Sequence, residues 1–276
     1  MKRGIYLFPS LLTLSNLAAG VVSILFSADG HYTDAAWAII AGIVMDMLDG
    51  RVARWAGATS QFGLELDSLC DLVTFGIAPG ILMFEVALQG IGRPGYALVI
   101  FFAMAAALRL ARFNLKASSG EPPSTHFIGL PVPAAAGILA SFVLSYELFG
   151  DENLSVKTIP VLMHKMPMLY RFLPLTIMIL SFLMISPIHY GNFKQMKLGR
   201  PHSIQTIGLV LVGLLLIFTY PQNMIFVVFS LYVLSGLISL AWRFYYAQRA
   251  KRIARRMRRR STDVQEPDNP LTILRR

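Results

Sequence analysis

Two pairs of aspartates stand in an otherwise apolar region, within the stretch DMLDGRVARWAGATSQFGLELDSLCD at residues 46–71. Asp46 and Asp49 are three residues apart. Asp67 and Asp71 are four apart, so the side chains of each pair share one helix face. Four carboxylates brought together would repel one another, and each would be costly to desolvate. Oxygen ligands in this number suit Mg²⁺ or Mn²⁺, and two such ions would balance the charges while leaving coordination positions for substrate phosphates.

Small residues and a cation accompany these carboxylates. Gly50 directly follows the first pair, Gly63 precedes Asp67 by four residues, and Ala53 is a third small position. A phosphate-bearing ligand can approach the backbone at such positions, although small residues also serve ordinary helix packing. Arg54 supplies a cation suited to a phosphate oxygen. In the alternative interpretation the carboxylates pair with Arg51, Arg54 and water without a metal ion, which does not explain the glycines.

The elements that must position these groups are membrane helices. Of the 276 residues, 55% are hydrophobic and 14% charged, whereas about 25% are charged in soluble domains. Strands of a membrane barrel would alternate apolar and polar residues, but the apolar runs here are long and unbroken. We predict an all-α membrane protein, a polytopic bundle of about eight transmembrane helices, or six or seven if short runs merge. The runs span roughly residues 8–27, 34–50, 70–89, 95–113, 128–149, 169–187, 205–220 and 223–245.

The distribution of lysine and arginine indicates the orientation of this bundle. These residues concentrate before the first predicted helix, after the second, fourth and sixth, and after the eighth. The intervening loops carry few of them, so the positive-inside rule places both termini in the cytoplasm. The aspartate pairs then lie near the cytoplasmic end of the second helix and the cytoplasmic start of the third. This brings all four carboxylates to one depth near the cytoplasmic face.

We predict one membrane domain, residues 1–247, followed by a basic and disordered cytoplasmic tail, residues 248–276. The segment RAKRIARRMRRR is expected to fix the topology as a solvated flank, to attract anionic lipid headgroups, or both. The single cysteine, Cys70, excludes a disulfide framework and is expected to be a small buried residue. The five histidines are scattered over loops on both faces and indicate no histidine metal site. No nucleic-acid partner is expected.

Written as a pattern, residues 46–71 read D-x-x-D-G-x-x-A-R, then eight residues, then G-x-x-x-D-x-x-x-D. This pattern resembles the signature of the CDP-alcohol phosphotransferases, and every fixed position is filled. The resemblance implies a membrane enzyme that holds two divalent ions with the four aspartates and transfers a phosphate-bearing group from a CDP-linked lipid to a hydroxyl, releasing CMP. It makes Asp71 the proposed catalytic base. The residues implied at the CDP-lipid site are Gly50, Ala53, Arg54, Ser60, Gly63, Thr13 and Asn16.

Three further stretches resemble the bacterial and archaeal phosphatidylserine synthases of this family, which implies a prokaryotic cytoplasmic membrane. They are PSLLTLSNLAAG at 9–20, LRLARFN at 108–114 and FIGLPVPAAAG at 127–137. The implied substrates are CDP-diacylglycerol and L-serine, and the implied product is phosphatidylserine. The serine carboxylate needs a cation, for which we expect Arg112 before Arg109, with Asn114 as a further contact. The alternative for each arginine is a helix-end anchor that reaches the lipid headgroups.

Other acceptors and one other class of protein are alternatives. Glycerol 3-phosphate or an inositol phosphate would need further basic groups, and choline would favour an aromatic or acidic cage. A divalent-cation transporter would use the same carboxylates, but nearer the bilayer midplane and often with broken helices. Ser10 follows Pro9 where the family usually has asparagine, so the contact that this asparagine makes in the family is expected to be weaker or altered here. The family also implies a homodimer, for which no feature of the sequence is diagnostic.

The distribution of lysine and arginine predicts that residues 60 and 261 both face the cytoplasm. Single cysteines introduced at Ser60 and Ser261, in a variant that lacks Cys70, should resist a membrane-impermeant thiol reagent in intact cells. They should react once the membrane is permeabilised, and the mass of the purified variant measures the labelling. Labelling of either position from outside would contradict the predicted topology.

Overall fold

Seven helices with defined bounds make up most of what the computed structural model describes, namely residues 7–55, 57, 60–118, 127–150, 167–187, 189–190, 219, 223–236, 238, 242 and 249. The helices are α1 (Leu7–Ala28), α2 (Tyr32–Trp55), α3 (Gln61–Ile91), α4 (Arg93–Ser118), α5 (Val132–Gly150), α6 (Pro167–Ile185) and α7 (Asn223–Gly236). Two strands of two residues each, β1 (Phe127–Ile128) and β2 (His189–Tyr190), pair antiparallel. Helices form nearly all of the described structure, and the two short strands join two loops.

Apolar helices confirm the prediction of a helical membrane protein. In the described part of the chain, three helical stretches are long and apolar enough to cross a bilayer: Ser10–Ala28, Gln61–Ile91 and Arg93–Leu115. Shorter apolar stretches lie at Val132–Ser145, Phe172–Ile185 and Asn223–Gly236. The predicted helix at 205–220 and the predicted tail at 248–276 lie outside the described residues, apart from Thr219 and Arg249. The total of about eight helices therefore stays a prediction.

Helix α3 begins at Gln61, earlier than the apolar run at 70–89 predicted. Ser60 caps its first turn, where the Gly63 N–H donates to the Ser60 hydroxyl oxygen over 3.0 Å. The first turns of α3 carry polar side chains that contact the neighbouring helices, so a search for apolar runs does not detect them. The earlier start places Asp67 well inside the helix, on the same face as Asp71.

Helix α3 widens twice along its length. It is π-helical over Leu72–Ile77 and over Phe84–Leu88, and it ends in a 3₁₀ turn. Pro79 lies in the turn after the first π segment. Proline has no N–H to donate, and in a regular helix its ring would clash with the carbonyl four residues earlier, which a wider turn relieves. The first π segment starts directly after Asp71 and contains Thr74, which contacts α1.

Helices α1, α2 and α3 approach one another closely around Thr74. Its Oγ1 donates a hydrogen bond to the Asn16 carbonyl oxygen of α1 over 2.9 Å. A Cβ added at Gly20 of α1 would lie 2.7 Å from the Thr74 Cα, and one added at Gly42 of α2 would lie 2.6 Å from the Thr74 Cγ2. Small residues allow such close approach between membrane helices. This packing sets the distance between α3 and the two helices that face its aspartates.

Helix α5 lies at the centre of the bundle. Residues 134–144 are all buried, and the alanines of its first turns let neighbouring helices approach. Helix α7 contacts it through an edge-to-face pair of Phe142 and Phe226, whose ring centroids are 6.3 Å apart. At its start, the Pro131 carbonyl oxygen accepts two N–H groups of the first turn. Pro131 therefore shapes the entry to this helix.

The close contact at Gly20 predicts that adding one methyl group there lowers the stability of the fold. In Gly20→Ala the new Cβ would overlap the Thr74 backbone. We expect a loss of about 1–3 kcal/mol in the free energy of unfolding, although alanine is the better helix former. Denaturant unfolding in detergent micelles measures it, with Gly90→Ala as the control because nothing lies within 4 Å of a Cβ there. Equal stability of the two variants would contradict the packing.

Candidate active site

Three of the four predicted metal ligands meet where α2 faces α3. Asp46 and Asp49 of α2 and Asp67 of α3 each offer a carboxylate oxygen, and these oxygens lie within 4.8 Å of one another. We call these three residues the Asp cluster. Asp49 is only 4% exposed, and its Oδ2 and the Asp67 Oδ1 are buried without a hydrogen-bond partner. The cluster thus combines close like charges with unused lone pairs.

Among the residues whose side chains the structure describes, no arginine forms an ion pair with the Asp cluster. Among the residues that the structure describes, the one ion pair within 4.0 Å joins His31 to Asp34, at 3.8 Å and far from the cluster. Arg51 is exposed, and the Arg54 side chain lies outside the described part of the chain. The described contacts therefore give no support to the alternative in which arginine replaces a metal ion.

The donor set of the Asp cluster fits a divalent cation. Carboxylate oxygens are hard ligands of the kind that Mg²⁺ and Mn²⁺ prefer. A buried polar atom without a partner is costly, and each such atom in a native structure calls for a donor, a water molecule or an ion. Asp49 Oδ2 and Asp67 Oδ1 are in this state. Asp46, Asp49 and Asp67 are thus the residues that could hold a metal ion.

Asp71 lies beside the Asp cluster and is held by α1. It is buried, and its Oδ1 accepts a hydrogen bond from the Asn16 Nδ2 over 2.9 Å. Asp71 follows Asp67 by four positions along the helix, a rise of about 6 Å, and its oxygens are not among the three that converge. The sequence predicts four ligands, of which the structure brings three together, while Asp71 lies one turn further along α3 and accepts the Asn16 hydrogen bond.

Thr13 and Asn16, which were predicted to approach the nucleotide, contact the carboxylates. The Thr13 side chain hydrogen-bonds to Asp49, and Asn16 donates to Asp71. Asn16 is fully buried, and its Oδ1 has no hydrogen-bond partner. Helix α1 therefore orients one carboxylate of α2 and one of α3 with neutral donors.

The other residues predicted at the CDP-lipid site surround the end of α2 and the start of α3. Gly50 is exposed, and nothing lies within 4 Å of a Cβ built there. Ala53 is half-buried. The Ser60 oxygen caps α3, and a Cβ at Gly63 would lie 3.2 Å from it. The space beside Gly50 is therefore open to a ligand next to Asp49.

The three residues predicted to bind the acceptor lie near the end of α4. Two of them form hydrogen bonds with other helices. The Arg112 Nη1 donates to the Ile185 carbonyl oxygen of α6 over 2.9 Å. The Asn114 Nδ2 donates to the Glu65 Oε2 over 3.1 Å, and its Oδ1 accepts from the Ser68 hydroxyl over 3.0 Å. Arg112 thus ties α4 to α6, and Asn114 ties α4 to α3.

Arg109 is the member of this set that interacts with the carboxylates. Its electrostatic partners include Asp71 and Asp46, and its buried Nε has no hydrogen-bond acceptor. The guanidinium carbon lies 5.9 Å from the centroid of the Phe113 ring. It also interacts with the Tyr232 phenol of α7. A guanidinium with an unused N–H beside the cluster is suited to an anionic ligand.

Three residues that interact with this site are not predicted from the sequence. Tyr232 lies in α7, far along the chain from Arg109, and no local pattern links the two. Glu65 and Ser68 stand between the motif positions, but they are three residues apart and so share a helix face. Polar residues inside a membrane helix were the available signal, since they usually face a partner.

Comparison with known proteins shows similarity to one family. A family profile described as CDP-alcohol phosphatidyltransferase matches residues 6–178, which include the Asp cluster. A CDP-diacylglycerol–serine O-phosphatidyltransferase of Helicobacter pylori is 36% identical over 234 residues, 85% of this chain and 91% of that protein. The Bacillus subtilis protein of the same name is 32% identical over 187 residues, 68% of this chain and 91% of its own. An archaetidylserine synthase of Methanothermobacter thermautotrophicus is 36% identical over 142 residues, 50% of this chain and 58% of that protein.

The Asp cluster predicts where a divalent ion binds. Asp67→Asn should weaken Mn²⁺ binding at least roughly tenfold, because it removes the charge from one of three converging ligands. The electron paramagnetic resonance signal of free Mn²⁺, titrated with purified protein, measures the affinity. Asp34→Asn, at an exposed aspartate in the first turn of α2, is the control and should bind like the wild type. Unchanged affinity in Asp67→Asn would contradict the site.

Proposed function

The chain belongs to the CDP-alcohol phosphatidyltransferase family, and we propose that it transfers the phosphatidyl group of CDP-diacylglycerol to the hydroxyl of L-serine, giving phosphatidylserine and CMP. Membership confirms the family resemblance of residues 46–71. The observation that carries the proposal is the Asp cluster within that stretch. Its support is the 36% identity, over 85% of the chain, to a relative named for this reaction.

Two divalent ions, Mg²⁺ or Mn²⁺, are the proposed cofactors, with the Asp cluster and Asp71 as their ligands. Bound there, such ions supply positive charge to the pyrophosphate and to the leaving CMP phosphate. Thr13 and Asn16 keep Asp49 and Asp71 oriented from α1. Because both are neutral, they orient the carboxylates without cancelling the charge that binds the ions.

Asp71 is the proposed general base. The Asn16 hydrogen bond holds its carboxylate in one orientation, and a carboxylate within reach of the acceptor can take its proton. The serine hydroxyl oxygen forms a bond to the phosphatidyl phosphorus, and the bond from that phosphorus to the bridging oxygen breaks. CMP leaves with the electron pair of that bond, and the serine proton passes to Asp71.

The CDP moiety is proposed to lie over the end of α2. The open space beside Gly50 lets a pyrophosphate approach the backbone next to the Asp cluster. The small side chain of Ala53 keeps the same side of the helix clear, and Arg54 of the signature supplies a cation for a phosphate oxygen. Ser60 keeps its hydroxyl proton available to the ligand while its oxygen caps α3.

Arg109 is the proposed ligand of the serine carboxylate. The sequence favours Arg112, but the Arg112 Nη1 donates to the Ile185 carbonyl oxygen. Arg109 instead interacts with Asp46 and Asp71, and its Nε has no hydrogen-bond acceptor. An acceptor that carries its own carboxylate needs a cation to enter a site of this charge. A guanidinium can bind that carboxylate with two parallel hydrogen bonds.

The proposal includes a location and partners. We place the protein in a prokaryotic cytoplasmic membrane with about eight helices, both termini in the cytoplasm, and the site near the cytoplasmic face. The support is the alternation of basic and neutral loops. The basic tail is proposed to contact anionic headgroups, and the family resemblance supports a homodimer.

Serine-dependent CMP release tests the function. Purified protein given CDP-diacylglycerol and Mg²⁺ or Mn²⁺ should release CMP with L-serine, and much less with glycerol 3-phosphate, inositol phosphate or choline. Arg109→Lys should raise the KM for serine roughly 10- to 150-fold, because one charge-assisted contact contributes about 1.5–3 kcal/mol. The KM for CDP-diacylglycerol should change little.

Arg93→Lys is the matched control for this assay, since Arg93 is exposed at the other end of the same helix. It should leave both KM values unchanged. A preference for another alcohol would overturn the choice of acceptor. A normal KM for serine in Arg109→Lys would remove Arg109 from the acceptor site while leaving the reaction in place.

A further inference from the structure

The last carbonyl groups of α6 are bound by two separate parts of the chain. Helix ends leave their final carbonyls without partners inside the helix. The Ile185 carbonyl accepts the Arg112 Nη1 of α4 over 2.9 Å, and the Leu183 carbonyl accepts the Leu130 N–H over 3.0 Å. A guanidinium is also favoured at a helix C-terminus because the helix dipole is negative there. The last carbonyl groups of α6 therefore accept hydrogen bonds from α4 and from the loop before α5.

Gly129 allows the loop before α5 to reach this helix end. Its φ is +82°, a region that residues with a Cβ rarely adopt. A Cβ there would lie 2.5 Å from the Met184 carbonyl oxygen and 3.2 Å from that of Ser186. The loop continues back into β1, which pairs with β2 just beyond α6. Only glycine fits both the backbone conformation and the close approach.

We infer that these contacts form a latch that positions the acceptor-binding end of α4. The latch consists of Arg112, Gly129, Leu130 and the carbonyls of Leu183 to Ile185. In it, Arg112 acts as a positioning residue for Arg109 and does not itself bind serine. The inference rests on the proposed function, because it assigns the acceptor carboxylate to Arg109.

The geometry explains why Arg109 depends on the latch. Arg109 precedes Arg112 by three residues, so a rotation of this turn of α4 moves both side chains. The Arg109 Nε has no hydrogen-bond partner to hold it. On one side of the turn Arg112 is tied to α6, and on the other Asn114 is tied to α3. The two anchors hold this turn of α4 and so fix the backbone position from which the Arg109 guanidinium interacts with Asp46 and Asp71.

The test compares two ways of opening the latch. Arg112→Gln shortens the side chain that reaches Ile185, and Gly129→Ala forces the loop away from α6 without changing any charge. Gly30→Ala is the matched control, because Gly30 has the same φ of +82° but nothing within 4 Å of a Cβ. Arg112→Lys keeps a donor that can still reach the carbonyl. The readouts are both KM values, kcat and the midpoint of thermal unfolding in detergent.

If the latch positions Arg109, substitutions at Arg112 and at Gly129 should have the same effect on the KM for serine. Arg112→Gln and Gly129→Ala should each raise the KM for serine about 10- to 100-fold, since displacement of a binding group by about 1 Å has effects of this size. The KM for CDP-diacylglycerol should stay unchanged. The double variant should be no worse than the worse single variant, because residues of one contact network are not additive. Arg112→Lys should stay within about threefold of the wild type, and Gly30→Ala should lower only the unfolding midpoint.

Other results would overturn the latch. If Arg112→Lys raises the KM for serine as much as Arg112→Gln while Gly129→Ala leaves it normal, Arg112 binds serine directly. If Gly129→Ala lowers only kcat, or if the two effects add fully, the contacts are merely structural. Thermal unfolding separates this inference from the proposed function. A wild type without serine-dependent CMP release would refute the function, whereas the unfolding midpoints of the single and double variants would still test the coupling of Arg112 to Gly129.

Discussion

Repulsion among desolvated carboxylates is the constraint on which the rest of the structure depends. Three aspartate oxygens converge within 4.8 Å inside a bundle of mostly apolar helices, and no ion pair among the described residues relieves them. Burial penalises each charge, and proximity penalises all of them together. Such an arrangement persists only if the surrounding helices hold α2 and α3 in place. The same features that make the cluster unfavourable in the protein alone make it suited to a divalent cation.

The described surroundings of the Asp cluster orient it with neutral hydrogen-bond donors and without an ion pair. Thr13 and Asn16 of α1 are neutral donors, and the sequence of α1 contains no charged residue. The nearby guanidinium of Arg109 interacts with the carboxylates through space but forms no ion pair within 4.0 Å in the described structure. A tightly paired arginine would compete with a metal ion for the same oxygens. Close packing at Thr74 then holds α1 against α3, so stability and site geometry depend on the same contacts.

Local patterns predicted the groups of this site better than its long-range contacts. The spacing of Asp46, Asp49 and Asp67 and the unbroken apolar runs were sufficient for the cluster and for a helical membrane protein. The hydrogen bond that orients Asp71 comes from Asn16, which lies 55 residues earlier. The engagement of Arg112 depends on a carbonyl 73 residues later. Spacing reports which residues share a helix face, but it does not report which other helix meets that face.

Anomalous diffraction from crystals grown with Mn²⁺ tests the central claim most directly, because it locates the ion without reference to activity. The account predicts a strong anomalous peak within coordination distance of the carboxylate oxygens of Asp46, Asp49 and Asp67. That peak should disappear in crystals of Asp67→Asn. A Mn²⁺ peak elsewhere in an active protein, or no peak at the cluster at saturating Mn²⁺, would contradict the account.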